Sequence, residues 1–194
     1  MISYKKSDSK LWAKEFLNGQ WSTLVTPFDE SGQIDESGLR SNIDYIKSLG
    51  SNGAGCSWGM GEFWSMSTSE RKNLMQIVKD HSKNWPVAAH ITHTSVTDIL
   101  ELARFCEDIG YELLILGAPY FATRKTSQVI DFVKYIRGIF TACNVKYGIM
   151  SHSPLYISSS NRSASLSDVA TLSKLSSITS GKFSCTTAHI CPCS

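Results

Sequence analysis

The chain has 194 residues, of which 42% are hydrophobic and 19% charged, and its formal net charge at pH 7 is only +2. This length suits one domain, and the small charge, with no basic stripe interleaved with aromatic residues, argues against a nucleic-acid partner. The sequence contains no run of about 18 apolar residues, the length that a membrane span needs, so we expect no membrane partner. The lysines near the N-terminus precede no apolar segment. We therefore expect no secretory signal and a cytoplasmic location.

The six cysteines do not predict a disulfide framework. Cys56, Cys106 and Cys143 each stand alone in an apolar segment, as buried thiols do in proteins of a reducing compartment. The other three lie with His189 in residues 185–193, where their spacing matches no standard zinc motif. An irregular tail is favoured there over a metal clip, and we predict no bound metal.

Short apolar segments recur along the chain and predict parallel strands with both faces covered. They span residues 21–28, 53–59, 85–91, 112–118 and 147–152, and residues 179–185 form a plausible sixth. Apolar residues at i, i+3, i+4 and i+7 predict amphipathic helices between them. The predicted helix faces consist of Leu39, Ile43 and Ile46; Leu74, Ile77 and Val78; Ile99, Leu102, Ala103, Cys106 and Ile109; and Val129, Val133, Ile136 and Phe140.

Local signals mark where these helices begin and end. Ser67 followed by Glu70 predicts a capping box at the start of the second helix, and Gly110 predicts the end of the third. The alternation of strands and helices leaves two architectures, a doubly wound sheet and a (β/α)8 barrel. In both, ligands bind beyond the carboxyl ends of the strands.

The segment WGMGEF, residues 58–63, follows the second strand and is the first candidate site. No Gly-Lys-Ser/Thr follows, so it is not a Walker loop, and the third glycine of a dinucleotide fingerprint is missing. A glycine-rich turn exposes backbone N–H groups, which suit a small carboxylate or a phosphate. The alternative is an ordinary tight corner between a strand and a helix.

Four segments follow one another along the chain: LVTPFDESGQID, GMGEFWSMSTSER, PVAAHITHTSVTDILELARFCEDIG and LLILGAPYF. In order and spacing they resemble the dihydrodipicolinate synthase / N-acetylneuraminate lyase family of class I, Schiff-base aldolases. The resemblance covers residues 20–155 well and residues 156–185 loosely. It implies an α/β fold of the (β/α)8 TIM-barrel type, here incomplete with about six βα units.

The same resemblance implies a division of the chain into three parts. Residues 1–18 would be an N-terminal extension, residues 19–185 the partial barrel, and residues 186–194 an irregular tail. We expect the chain to be C-terminally truncated or altered, because a closed barrel of this type needs eight strands. The form with a complete barrel would be a homo-oligomer.

Lys182 in ITSGKFS stands where the family has the lysine that forms a Schiff base with pyruvate or a related 2-keto acid. An amine attacks a ketone only when it is unprotonated, and burial lowers the pKa of a lysine. The resulting iminium accepts electrons, so that a nearby carbon–carbon bond breaks or forms. The resemblance therefore implies a pyruvate-like small-molecule partner and no separate cofactor.

Several hydroxyl groups of the family's proton relay are replaced in this chain. Gly59 and Met60 stand where the family has a Thr-Thr pair, and together with Gly61 they form the expected carboxylate-binding turn. Phe121 replaces a tyrosine and leaves Tyr120 as the remaining phenol, while Ser151 replaces the tyrosine after the fifth strand. We predict Lys182, Ser151 and Tyr120 as catalytic residues.

Other residues are weaker candidates. His152, His90 and His93 are candidates for proton transfer because they carry imidazole rings, although histidines in such positions are more often structural. We expect the Glu62 carboxylate to accept hydrogen bonds that hold the corner after the second strand. Tyr156 stands where the family usually has the arginine that binds a second carboxylate. With the relay hydroxyls and this arginine replaced, dihydrodipicolinate synthase activity itself is not expected.

Three hypotheses for function follow. The favoured one is a divergent Schiff-base lyase acting on a 2-keto acid. The second is a catalytically inactive truncated barrel that acts only as a binding or subunit fragment. The third, an unrelated doubly wound binding protein, is disfavoured by the ordered motifs.

Overall fold

The computed structural model describes residues 17–117 continuously, together with residues 11, 15, 128, 131, 132 and 134–136 and the backbone of 149–152. Its strands are β1 (Trp21–Thr23), β2 (Gly53–Cys56), β3 (Val87–His90), β4 (Leu113–Gly117) and β5 (Ile149–His152). Its helices are α1 (Glu36–Ser48), α2 (Thr68–His81) and α3 (Val96–Asp108). Two short 3-10 helices, Gly59–Gly61 and Phe63–Ser65, lie between β2 and α2.

The five strands form one parallel sheet in the order β1-β2-β3-β4-β5. A doubly wound sheet reverses direction at a switch point, whereas this order follows the chain throughout, as in a (β/α)8 barrel. The predicted sixth strand at 179–185 lies outside the described residues, as do residues 1–10 and the tail at 186–194. The strand order therefore excludes a doubly wound sheet for the five described strands.

The strands begin at or near the predicted positions, but all five, as the structure describes them, are shorter than predicted. β1 ends at Thr23 rather than at residue 28, because the chain turns away into a loop closed by the Phe28–Ile34 bridge. Pro27 accepts a 2.9 Å hydrogen bond from the Asp35 N–H in this loop. Because proline has no N–H to donate to a sheet ladder, the strand does not extend through Pro27 to the end of the apolar run at 21–28.

Each helix begins at a side-chain cap. The Asp35 carboxylate accepts from Gly38 N–H at 3.0 Å at the start of α1. At α2 the predicted capping box is present, with Ser67 and Glu70 each accepting a backbone hydrogen bond from the other. Ser95 caps α3, and the predicted end of this helix is confirmed at Gly110, which has a φ of 82°. Such left-handed residues after a helix favour glycine.

Buried apolar residues lie on both faces of the sheet. The helix-side core contains the buried faces of α1, α2 and α3, packed on strand residues Ala54, Cys56, Val87, Ala89, Leu114 and Leu116. The inner cluster on the opposite face consists of Leu17, Trp21, Ala88, Leu113 and Ile115, with Trp58 partly buried against them. The predicted burial of Leu39, Ile43, Ile46, Leu74, Ile77, Val78, Ile99, Leu102, Ala103 and Cys106 is confirmed.

The buried thiols predicted at Cys56 and Cys106 are confirmed, and both are unpaired. Cys56 Sγ lies 3.2 Å from the hydroxyl of buried Tyr111, which donates a 2.8 Å hydrogen bond to the Met75 carbonyl. Burial raises the pKa of the Cys56 thiol to about 11. The third predicted buried cysteine, Cys143, lies outside the described residues. None of the described helices has the length and apolar character needed to cross a bilayer.

Candidate active site

The segment after β2 lies at the carboxyl end of the sheet and bends sharply at two points. Ser57 and Glu62 both have a φ of 55°, a left-handed conformation that is uncommon for residues other than glycine. Between them lies the 3-10 helix Gly59–Gly61, which we name the GMG turn. The turn therefore occupies the edge where parallel α/β folds bind ligands.

The GMG turn has two available N–H groups. The N–H groups of Gly61 and Glu62 donate 3.0 Å hydrogen bonds to the carbonyls of Trp58 and Gly59. Those of Gly59 and Met60 have no hydrogen-bond acceptor within the described part of the chain. The predicted run of exposed donors is thus reduced to two adjacent N–H groups, a suitable number for one carboxylate.

Gly61 is required by close packing. The Thr26 hydroxyl donates a 2.9 Å hydrogen bond to the Gly61 carbonyl. A Cβ at Gly61 would lie only 3.0 Å from both the Leu24 carbonyl oxygen and Thr26 Oγ1. A Cβ at Gly59 would meet only the Trp64 ring, at 3.5 Å, and the Met60 side chain is 59% exposed. Thr26 and Gly61 together hold the C-terminal part of the GMG turn.

Arg71, in the first turn of α2, is fully buried behind this segment. Its Nε donates to Ser57 Oγ at 2.8 Å, its Nη1 to the Thr92 carbonyl at 2.9 Å and its Nη2 to the His90 carbonyl at 2.5 Å. Its guanidinium carbon also lies 5.2 Å from the centre of the Phe63 ring. One cation therefore joins the ends of β2 and β3 to the start of α2.

His90 ends β3, and both of its ring nitrogens have hydrogen-bond partners inside the protein. Nδ1 lies 3.0 Å from the Ser57 carbonyl oxygen, which can only accept, so the hydrogen-bond pattern assigns a proton to Nδ1. Nε2 lies 2.8 Å from the Thr92 hydroxyl, which accepts a 2.6 Å hydrogen bond from the Gly117 N–H. Thr92 can then donate its own proton to Nε2, and this chain of bonds joins the ends of β2, β3 and β4.

Aromatic rings cover His90 on two sides. Trp58 stacks parallel to the imidazole with 5.7 Å between ring centres, and Phe63 meets it edge-on at 4.7 Å. His90 is only 5% exposed. With its nitrogens occupied and its ring covered, His90 is a structural histidine, as the sequence favoured.

Two other sequence-based expectations have different outcomes. The Glu62 side chain is exposed and accepts no hydrogen bond from the described residues, so Arg71 and Thr26, not Glu62, hold this corner. His93 is partly buried, and its Nδ1 lies 3.1 Å from Ser95 N–H and 3.4 Å from an Asp98 carboxylate oxygen. Both of these partners belong to the start of α3, so the polar contacts of His93 within the described residues do not reach the GMG turn.

The predicted catalytic residues are only partly covered by the structure. Ser151 lies on β5 in register with Leu116, and His152 is in register with Gly117. Lys182 and Tyr120 lie outside the described residues. No three side chains in the described ranges converge as metal ligands; the cysteine-rich segment 185–193 lies outside those ranges.

Three residues of this site were not predicted from the sequence: Arg71, Ser57 and Thr92. A signal for Arg71 was present, since it continues the stripe of Leu74 and Val78 on the buried side of α2. A charged residue in an apolar stripe indicates a buried polar partner. The partners themselves follow from packing between strands, which no local pattern encodes.

Comparisons with known proteins agree with this geometry. The model of the dihydrodipicolinate synthetase family matches residues 17–187. The 4-hydroxy-tetrahydrodipicolinate synthase of Methanothrix thermoacetophila is 32% identical over 103 residues, which are 53% of this chain and 35% of the relative.

Solved structures show the same fold. The N-acetylneuraminate lyase of Fusobacterium nucleatum matches with a TM-score of 0.68 and 25% identity, over 82% of this chain and 53% of that structure. YagE from E. coli K12, solved in complex with pyruvate, matches with a TM-score of 0.62 and 22% identity, over 69% of this chain and 44% of that structure. These neighbours confirm the TIM-barrel type of fold, present here as an incomplete barrel. The chain spans 35% to 53% of the length of these proteins.

Proposed function

Because the chain belongs to the dihydrodipicolinate synthetase family, whose members are lyases, we propose that it makes or breaks a carbon–carbon bond through a Schiff base on Lys182. The proposed substrate is pyruvate or a related 2-keto acid. The observation that carries the proposal is the GMG turn at the carboxyl end of the sheet, where the N–H groups of Gly59 and Met60 are available to a carboxylate. The pyruvate bound to YagE, a protein of similar fold, supports the substrate class.

In this proposal the Lys182 amine adds to the keto carbon and water leaves, which forms an iminium. In the cleavage direction, the substrate is a larger 2-keto acid with a hydroxyl on the second carbon beyond the keto carbon. The bond between the first and second carbons beyond the keto carbon then breaks. Its electron pair forms the carbon–carbon double bond of an enamine, and the iminium nitrogen becomes neutral. The hydroxyl loses its proton to a base while the aldehyde leaves, and the enamine takes up a proton before water releases the keto acid. The iminium itself accepts the electrons, so the proposal needs no separate cofactor.

We assign the proton transfers to Ser151 and Tyr120, the hydroxyl groups that remain near the family's relay positions. Strand register adds an alternative, because His152 pairs with Gly117, the residue whose N–H binds Thr92, whereas Ser151 pairs with Leu116 of the helix-side core. Alanine variants of Ser151 and His152 separate the two: the true proton-transfer group lowers turnover without abolishing the trapped Schiff base.

The remaining features belong to the same proposal. The barrel occupies residues 19–185, between an N-terminal extension at 1–18 and an irregular tail at 186–194. The complete barrel acts as a homo-oligomer in the cytoplasm. With Gly59, Met60 and Tyr156 in place of the family's threonines and arginine, the substrate differs from that of dihydrodipicolinate synthase.

Borohydride reduction in the presence of pyruvate tests the proposal. The expected result is a mass gain of one reduced pyruvate on the peptide that contains Lys182. Lys182→Ala should abolish this adduct, whereas Lys174→Ala, a change in the same part of the sequence, should leave it. Trapping on another lysine would refute the assignment.

The second candidate function is a catalytically inactive barrel that serves as a binding or subunit fragment. The loss of hydroxyl side chains at Gly59 and Met60 favours it, because these positions carry part of the family's proton relay. Folded, soluble protein that forms no adduct with pyruvate would support this second function.

A further inference from the structure

The GMG turn is held on both of its flanks by side chains outside it. On its N-terminal side, the Ser57 hydroxyl accepts a hydrogen bond from Arg71 Nε, and the Ser57 carbonyl accepts one from His90 Nδ1. On its C-terminal side, the Phe63 ring lies against both Arg71 and His90. Like His90, Arg71 contacts both flanks, and it also binds the end of β3 and the residues that follow it through the carbonyls of His90 and Thr92.

The left-handed backbone at Ser57 makes this support necessary. A φ of 55° costs free energy in a residue with a Cβ, and it persists only when surrounding contacts determine it. The conformation at Ser57 sets the direction in which Trp58 and the GMG turn leave β2. The bond from Arg71 to the Ser57 hydroxyl therefore helps to fix the orientation of the two available N–H groups of Gly59 and Met60.

A buried cation is also an uncommon way to join strands. Replacing a buried charged group by well-packed apolar residues is often neutral or stabilising, so fold stability alone does not explain an arginine at this position. The positive charge of Arg71 attracts an anion bound nearby, and this attraction between opposite charges is stronger in the protein interior than in water. The positive charge lies behind a turn that has lost its threonine hydroxyls.

We propose that Arg71 is the positioning residue for the carboxylate of the keto acid: it holds the GMG turn through Ser57 and supplies positive charge behind the N–H groups of Gly59 and Met60. This inference rests on the proposed function for the identity of the anion. Arg71 acts through the turn and does not touch the substrate.

The test compares a ketone that has a carboxylate with one that does not. Borohydride trapping is measured against the concentration of pyruvate and of methyl pyruvate, whose ester carries no charge. In Arg71→Lys, which keeps a positive charge but loses the guanidinium hydrogen bonds that hold the turn, we expect the half-saturating pyruvate concentration to rise about tenfold. A much smaller change is expected for the ester. Ser57→Ala, which removes only the Nε acceptor, should give a smaller rise of the same kind.

Arg40→Lys is the matched control, because Arg40 is a half-exposed arginine that pairs with Glu36 on α1. It should change neither ketone's trapping. A merely structural role for Arg71 predicts equal losses with pyruvate and with the ester in Arg71→Lys, and that result would overturn the inference. If Arg71→Lys does not fold, Ser57→Ala with an unchanged preference for pyruvate overturns it as well.

A second measurement separates the inference from the proposed function. Pyruvate binding to Lys182→Ala, in which that lysine cannot form a Schiff base, is measured by calorimetry with and without Arg71→Lys. About tenfold weaker binding in the double variant is expected, and equal binding contradicts the role of Arg71. Absence of an adduct in the wild-type protein, with calorimetric binding that depends on Arg71, overturns the Schiff-base function alone.

Discussion

Cys56 shows at the scale of one residue how burial sets chemistry. Its side chain is fully buried in the helix-side core beside Tyr111, and burial raises the pKa of its thiol to about 11. Burial likewise raises the pKa of Cys106. Because the thiolate is the reactive species, both residues should be inert in the native protein.

We predict that Cys56 in the native chain reacts with a thiol reagent at pH 8 about 100-fold more slowly than in the unfolded chain. Peptide mapping after timed alkylation measures this, with the urea-unfolded chain as the control. Equal rates in the two states would contradict the burial.

The same shift predicts a pH dependence of stability. The folded state holds the Cys56 thiol proton more strongly than the unfolded state does. The contribution of this thiol to the free energy of unfolding is therefore fully present below the pKa that the thiol has in the unfolded chain. It is lost as pH rises from the ordinary thiol range to the folded value of about 11. Stability to urea should therefore fall over that range, and a Cys56→Ser variant should show less of this fall.

At the scale of elements, the start of α2 decides where Arg71 lies. Ser67 accepts a 3.3 Å hydrogen bond from Glu70 N–H, and Glu70 accepts a 2.7 Å hydrogen bond from Ser67 N–H. The hydrogen bonds from Ser67, first from its hydroxyl and then from its N–H, lower the pKa of Glu70. The cap thus fixes the first turn of the helix that carries the buried guanidinium.

Ser67→Ala should lower the free energy of unfolding by about 1 kcal/mol, the usual value of an N-cap. Urea unfolding measures the change. Ser41→Ala on α1 is the control, because the one partner of the Ser41 hydroxyl among the described residues is the exposed Ser37 carbonyl of the same helix. Since folding lowers the pKa of Glu70, the cap stabilises the wild-type protein at pH values above the ordinary pKa range of glutamate. This stabilisation is lost as the pH falls through the pKa of Glu70 in the folded protein. An unchanged midpoint for Ser67→Ala would show that packing alone holds this turn.

At the scale of the whole molecule, the described sheet has interior and edge strands. β2, β3 and β4 have a neighbour on each side, whereas β1 and β5 are its edges. Interior strands open only with larger parts of the fold, while edges open locally.

Amide hydrogen exchange should therefore be slowest in β3, and about tenfold or more faster in β1. Exchange followed by mass spectrometry at peptide level checks this order, and the buried N–H groups of α2 serve as the internal reference. Protection of β1 equal to that of β3 would show that another segment covers this edge.

Some features of this molecule could be predicted from the sequence and others could not. The strand positions, the capping box of Ser67 and Glu70, and the buried residues of the three helices were predicted correctly, whereas the strand ends and the Glu62 carboxylate were not. Local propensity extends beyond Thr23, but the loop that follows β1 ends the strand there. The interior positions of the elements were predicted better than their ends, because the ends depend on distant partners.

The sequence by itself determined that this chain alternates strands with helices and which helix faces are buried, since both depend on periodicity within one segment. Only the tertiary structure decided that Arg71, and not Glu62, supports the GMG turn. The contacts of Arg71 with Ser57, His90 and Thr92 join residues 14, 19 and 21 positions apart. Such contacts depend on how two strands and a helix pack in three dimensions, and no local sequence pattern encodes contacts between residues so far apart in the chain.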